Sequence, residues 1–76
     1  MAKLSANKSV QVCRLKVRSQ AGYTYYFEMR SDGRILSRWL DMSGEGWKLA
    51  ARRGKDKATR GVLMRYLALR GYTLIS

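Results

Sequence analysis

The sequence predicts an α+β fold, in which a small antiparallel sheet, a meander of three to four strands, carries one C-terminal helix and a short closing strand. Two segments near the N-terminus alternate apolar and polar residues, which is the pattern of half-buried strands. A later segment repeats its apolar residues at helical spacing. The 76 residues suffice for one domain. We assign residues 9–76 to it and residues 1–8 to a flexible basic tail.

The first strand is expected over residues 9–18. Its apolar side chains share one face, and its charged side chains Arg14, Lys16 and Arg18 share the other. Alternate residues on a strand lie about 6.6 Å apart, so these three cations form a row along one face. Such a row can bind the phosphates of a nucleic acid, although it also suits a solvated strand face.

The second strand is expected over residues 23–30, which are rich in aromatic side chains. Four residues of one phase are expected to face the core: Tyr23, Tyr25, Phe27 and Met29. Tyr26 and Arg30 fall on the opposite face, where pairing with the first strand would place Tyr26 across from the basic row. An exposed aromatic ring on a basic sheet can stack on an unpaired base. Tyr26 and Arg30 are therefore candidate nucleic-acid contacts.

The third element is ambiguous. Asp32 and Gly33 predict a hairpin turn, because glycine adopts positive φ without steric cost. A third strand over residues 34–40 is favoured. The apolar residues of this segment also recur at helical spacing, so a helix over residues 33–43 is the alternative. Residues 47–51 predict a short fourth strand.

The helix is expected over residues 58–70. Asp56 is the expected N-cap, since its carboxylate suits the positive end of a helix. The apolar stripe comprises Val62, Leu63, Tyr66, Leu67 and Leu69. Gly71 is expected to end the helix, and residues 72–75 are expected to close the sheet.

Charge is the strongest functional signal in the sequence. The chain has 16 Lys and Arg against 5 Asp and Glu, a formal net charge of +11. A basic balance of this size is typical of proteins that bind nucleic acid. Arginine forms two parallel bonds to phosphate oxygens or to a guanine edge. Since 10 of the 16 cations are arginine, we expect DNA slightly in preference to RNA.

The densest cluster of cations lies in the loop before the predicted helix. It comprises Arg52, Arg53, Lys55, Lys57 and Arg60. A loop that contains glycine and leads into a helix N-terminus also presents backbone amides that favour phosphate. The sequence therefore predicts phosphate contacts from this loop as well as from the first strand.

Several classes of function are excluded by what the sequence lacks. There is no histidine and only one cysteine, which excludes imidazole catalysis and an ordinary zinc site. We expect no enzyme activity, no cofactor, no metal and no small-molecule substrate. The lone Cys13 allows no intrachain disulfide, which suits a reducing cytoplasm. No apolar run approaches the roughly 18 residues of a membrane span, so no membrane partner is expected.

The main alternative function is a protein-interaction module or inhibitor that docks on an acidic surface of a larger nucleic-acid-processing machine. A structural subunit of a ribonucleoprotein is a third possibility. A nucleic acid requires a continuous basic stripe. A protein partner would also require an exposed apolar patch, expected near Trp39, Met42 or Trp47.

Overall fold

The computed structural model describes residues 9–76, and the predicted tail at residues 1–8 lies outside this range. One antiparallel sheet contains five strands: β1 (Gln11–Arg18), β2 (Thr24–Arg30), β3 (Arg34–Trp39), β4 (Lys48–Arg52) and β5 (Thr73–Leu74). Between β4 and β5 the chain forms a short 3-10 turn (Lys55–Lys57) and one helix, α1 (Arg60–Leu69). The strand order β4-β3-β2-β1-β5 shows a four-stranded meander that β5 closes at the free edge of β1. The predicted α+β class is confirmed.

The core is a single layer between one face of the sheet and α1. It contains Leu15 and Val17 of β1, Phe27 and Met29 of β2, Ile35 of β3, and Leu63 and Leu67 of α1. The strand residues share one face because the register places Leu15 opposite Phe27 and Met29 opposite Ile35. The period-two alternation predicted for β1 and β2 therefore has the correct phase.

The segment after the first hairpin is a strand, and the alternative helix over residues 33–43 is wrong. Gly33 has a φ of +94°, and the turn it forms returns the chain alongside β2. β3 then pairs with β2 on one edge and with β4 on the other. This pairing satisfies the backbone groups along both edges of β3, and Ile35 is completely buried.

The start of the helix differs from the prediction. Thr59 is the N-cap, and its Oγ1 accepts a hydrogen bond from the Val62 amide at 3.1 Å. Asp56 belongs to the separate 3-10 turn. A hydroxyl directly before the first helical residue lies within reach of the first turn, whereas Asp56 lies too early in the chain. Gly71 follows the helix with a φ of +84°, as predicted.

Two residues expected in the core are exposed. Leu69 is 82% exposed, because the side of α1 that meets the sheet is the one carrying Leu63 and Leu67. Tyr23 is 47% exposed, since it precedes β2 at the rim of the sheet, where its ring meets Trp39 edge-on. Within residues 9–76, no helix combines the length and the apolar character needed to cross a membrane.

Candidate nucleic-acid interface

The face of the sheet opposite α1 is not covered by any helix within residues 9–76, and we call it the open face. Residues that pair across an antiparallel sheet share a face. One such row is Lys16, Tyr26 and Arg38, from β1, β2 and β3 in turn. A second row is Arg14, Glu28, Leu36 and Leu49, and Arg34 pairs with Arg52 near one end. The open face is therefore strongly basic, with aromatic and apolar residues among its cations.

Three flat side chains meet at the middle of the open face, and we call them the aromatic platform. The rings of Tyr26 and Trp47 are nearly parallel, at 21°, with centroids 6.5 Å apart. The guanidinium carbon of Arg14 lies 5.4 Å from the Tyr26 centroid and 5.3 Å from the Trp47 centroid. These distances are typical of cation–π contacts. Both rings remain half-buried, so part of the aromatic platform is accessible to a ligand.

One buried acid orients the cations of the open face. Glu28 is only 5% exposed, and its carboxylate forms ion pairs with Arg14, at 3.4 Å, and with Arg30. A buried carboxylate requires such partners, because burial without them is costly. Arg30 in turn donates hydrogen bonds to the hydroxyl and the carbonyl oxygen of Ser9. Glu28 thus holds Arg14 beside the two rings.

Glu28→Gln is expected to lower the free energy of unfolding by about 1–3 kcal/mol, because two guanidinium groups lose their charged acceptor. Glu45→Gln is the matched control. Its ion pair with Lys48 lies at the surface, where such pairs contribute about 0–1 kcal/mol. Urea unfolding of both variants at neutral pH measures the difference. Equal losses in the two variants would show that Glu28 does not hold the basic face together.

The structure brings most of the predicted strand residues together. Arg14, Lys16 and Arg18 follow one face of β1, and Tyr26 lies across from this basic row, as the sequence predicted. Its direct partner in the register is Lys16. Arg30 lies on the same face, but its guanidinium is already engaged by Glu28 and Ser9.

The basic loop cluster is divided between two sides of the molecule. Arg52 is the last residue of β4, and it lies opposite Arg34 of β3 in the sheet register, on the open face. In contrast, Arg53 and Lys57 line a groove beside α1. Lys55 is exposed in the 3-10 turn, and Arg60 is the first residue of α1. The loop does not lead directly into the helix, because the 3-10 turn and the Thr59 cap intervene.

Several residues of the open face were missed as nucleic-acid contacts by sequence reasoning, among them Arg34, Arg38 and Trp47. Arg38 had a detectable signal, since it follows the period-two phase of Arg34 and Leu36 once residues 34–39 are assigned to a strand. Trp47 was expected only as part of an apolar patch for a protein partner, because its contact with Tyr26 depends on how β4 returns to the sheet.

Comparison with known proteins assigns no family: no family model matches the chain, and no curated protein or solved structure matches it significantly. The open face is therefore interpreted from its own geometry and charge.

Proposed function

We propose that this chain is a non-enzymatic nucleic-acid-binding protein that contacts the phosphate backbone mainly through the open face. One observation carries the proposal: an uncovered sheet face presents Lys16, Arg18 and Arg38 around a half-buried aromatic platform. These three cations form no ion pair with the described part of the chain. Their charge is therefore available to a polyanion.

Electrostatics supports a polyanionic partner. The three cations lie in and beside one cross-strand row, so they repel one another. Arg18 follows Lys16 by two residues along β1, a separation of about 6.6 Å that allows each to meet a different phosphate. A bound nucleic acid would relieve this repulsion and release its own counterions to solution.

We favour DNA slightly over RNA, because 10 of the 16 cations are arginine and arginine is the better reader of a guanine edge. Arg52 extends the basic face toward the loop that contains Arg53, Lys55 and Lys57, which would supply flanking phosphate contacts. The single cysteine, Cys13, suits the reducing cytoplasm, where we place this activity.

The salt dependence of affinity tests this proposal. If about five phosphates are neutralised, the logarithm of affinity against the logarithm of salt concentration should fall with a slope near −4.5 for duplex DNA and near −3.5 for a single strand. Fluorescence anisotropy with labelled DNA and RNA oligonucleotides across a salt series measures both slopes. A slope close to zero for every oligonucleotide would contradict the proposal and favour the acidic protein partner.

A further inference from the structure

We infer that the open face selects single-stranded over duplex nucleic acid by stacking an unpaired base on the aromatic platform of Tyr26, Trp47 and Arg14. This inference rests on the proposed function and adds that the bound nucleic acid is single-stranded. It begins from a feature that the fold does not require. Neither Tyr26 nor Trp47 belongs to the core or packs against it, whereas Tyr25, Tyr66 and Tyr72 do.

The chemistry of the aromatic platform fits a nucleobase. Every base presents a π-face, so stacking on tyrosine or tryptophan tolerates any sequence. The guanidinium of Arg14 is also planar and stacks on aromatic faces. Here it lies within 5.4 Å of both ring centroids. The three groups thus offer a base a flat, partly positive surface.

Two of the three groups of the aromatic platform, Tyr26 and Arg14, are held in place before any ligand binds. Tyr26 lies on β2, the central strand of the sheet, with β1 on one side and β3 on the other. Arg14 is held by the buried carboxylate of Glu28. A surface that is already ordered loses little conformational entropy on binding, which increases affinity.

Phosphate-binding cations flank the aromatic platform on both sides. The register places Lys16 directly opposite Tyr26 on β1 and Arg38 directly opposite it on β3. The backbone of each of these two residues is thus one strand spacing, about 5 Å, from the backbone of Tyr26. A base stacked at Tyr26 would therefore have cations on either side for the phosphates that precede and follow it.

The breadth of the face disfavours a duplex. A sheet of five strands spaced about 4.8 Å apart is about 19 Å across, whereas the major groove is about 12 Å wide. The aromatic platform lies at the middle of this breadth, so the whole face cannot enter the groove around it. A duplex also hides the faces of its bases within the stack, and exposing one costs free energy. A single strand meets neither obstacle.

Fluorescence anisotropy with a 20-nucleotide single strand and its duplex, at matched salt, tests the inference. We expect the parent protein to bind the single strand at least about tenfold more tightly. Trp47→Ala should weaken single-strand binding by about 5- to 150-fold, the range that removal of a stacking aromatic produces. Duplex affinity and the salt slope should hardly change, because no phosphate contact is removed.

Leu49→Ala is the matched control. Leu49 is an exposed apolar residue on the same face and the same strand region, but it has no π-face, so its loss should leave both affinities unchanged. Circular dichroism melting of each variant checks that it folds. Trp47→Phe keeps a flat ring and should retain most of the single-strand affinity.

A direct signal comes from the fluorescence of Trp47 in a Trp39→Phe background. The indole Nε1 of Trp39 has no hydrogen-bond partner within the described residues, so phenylalanine there loses no hydrogen bond. Trp47 is then the only tryptophan. A stacked base should quench its emission with single-stranded DNA, and a duplex should quench it much less. If Trp47→Ala fails to fold, the quenching of Trp47 fluorescence alone tests whether a base stacks on the aromatic platform.

The outcomes separate the two proposals. Equal affinity for single strand and duplex, or unchanged Trp47 emission with the single strand, overturns the inference and leaves the proposed function standing. Failure to bind any nucleic acid overturns the proposed function itself. A single-strand preference that Trp47→Ala removes, together with quenching, supports both.

Discussion

Gly33→Ala is expected to lower the free energy of unfolding by about 3–4 kcal/mol, the largest effect of any single substitution proposed for this protein. Gly33 adopts a φ of +94° in the turn between β2 and β3. A Cβ at this position would lie 2.0 Å from the carbonyl oxygen of Arg53. The Gly33 carbonyl also accepts a hydrogen bond from the Arg53 amide at 2.6 Å, so relieving the clash would break this contact. The free-energy costs of backbone strain and of the steric clash therefore add in this variant.

Gly22→Ala is the matched control for this prediction. Gly22 has almost the same φ, +95°, but a Cβ there would meet no atom within 4 Å. Its substitution should cost only the backbone strain, about 1–2 kcal/mol. Urea unfolding of the two variants isolates the contribution of the close approach. Equal losses would show that the contact between the β2–β3 turn and the segment after β4 adds nothing to stability.

The triple substitution of Lys16, Arg18 and Arg38 by glutamine is expected to weaken nucleic-acid binding by on the order of 10²- to 10³-fold near 0.1 M salt. Each phosphate contact contributes roughly tenfold at this salt concentration, so three contacts multiply to this range. The salt slope should become shallower by about 2–3. Folding should persist, because none of the three side chains belongs to the core or to an ion pair within residues 9–76.

A second triple substitution removes the same charge elsewhere. Replacing Arg53, Lys55 and Lys57 by glutamine also lowers the formal net charge from +11 to +8. Two of these residues line the groove beside α1, away from the open face. This variant should therefore lose at most about one phosphate contact, and its affinity should fall by about tenfold or less. Equal losses would show that net charge or the loop controls binding, and the assignment to the open face would be wrong.

Local patterns in the sequence were sufficient to predict much of the fold. The alternation along residues 9–18 and 23–30 placed Leu15 and Phe27 in the core, and it placed Tyr26 on the face of the basic row. Such predictions succeed because the strand period is two, so one correctly assigned core residue determines the face of every other residue in the strand. The prediction for the helix was less accurate. Leu69 fits the helical period but is exposed, because α1 contacts the sheet over a narrower surface than the predicted apolar stripe.

The tertiary structure alone determined the composition of the candidate site. Trp47 reaches Tyr26 only because β4 returns beside β3, a long-range pairing that no local period encodes. Glu28 has the phase of an exposed residue, yet it is buried because Arg14 and Arg30 close over it from either side. The periodicity of apolar residues in the sequence determines which face of the sheet a residue lies on. The side chains it meets there depend on register and on strand order, which the whole chain determines together.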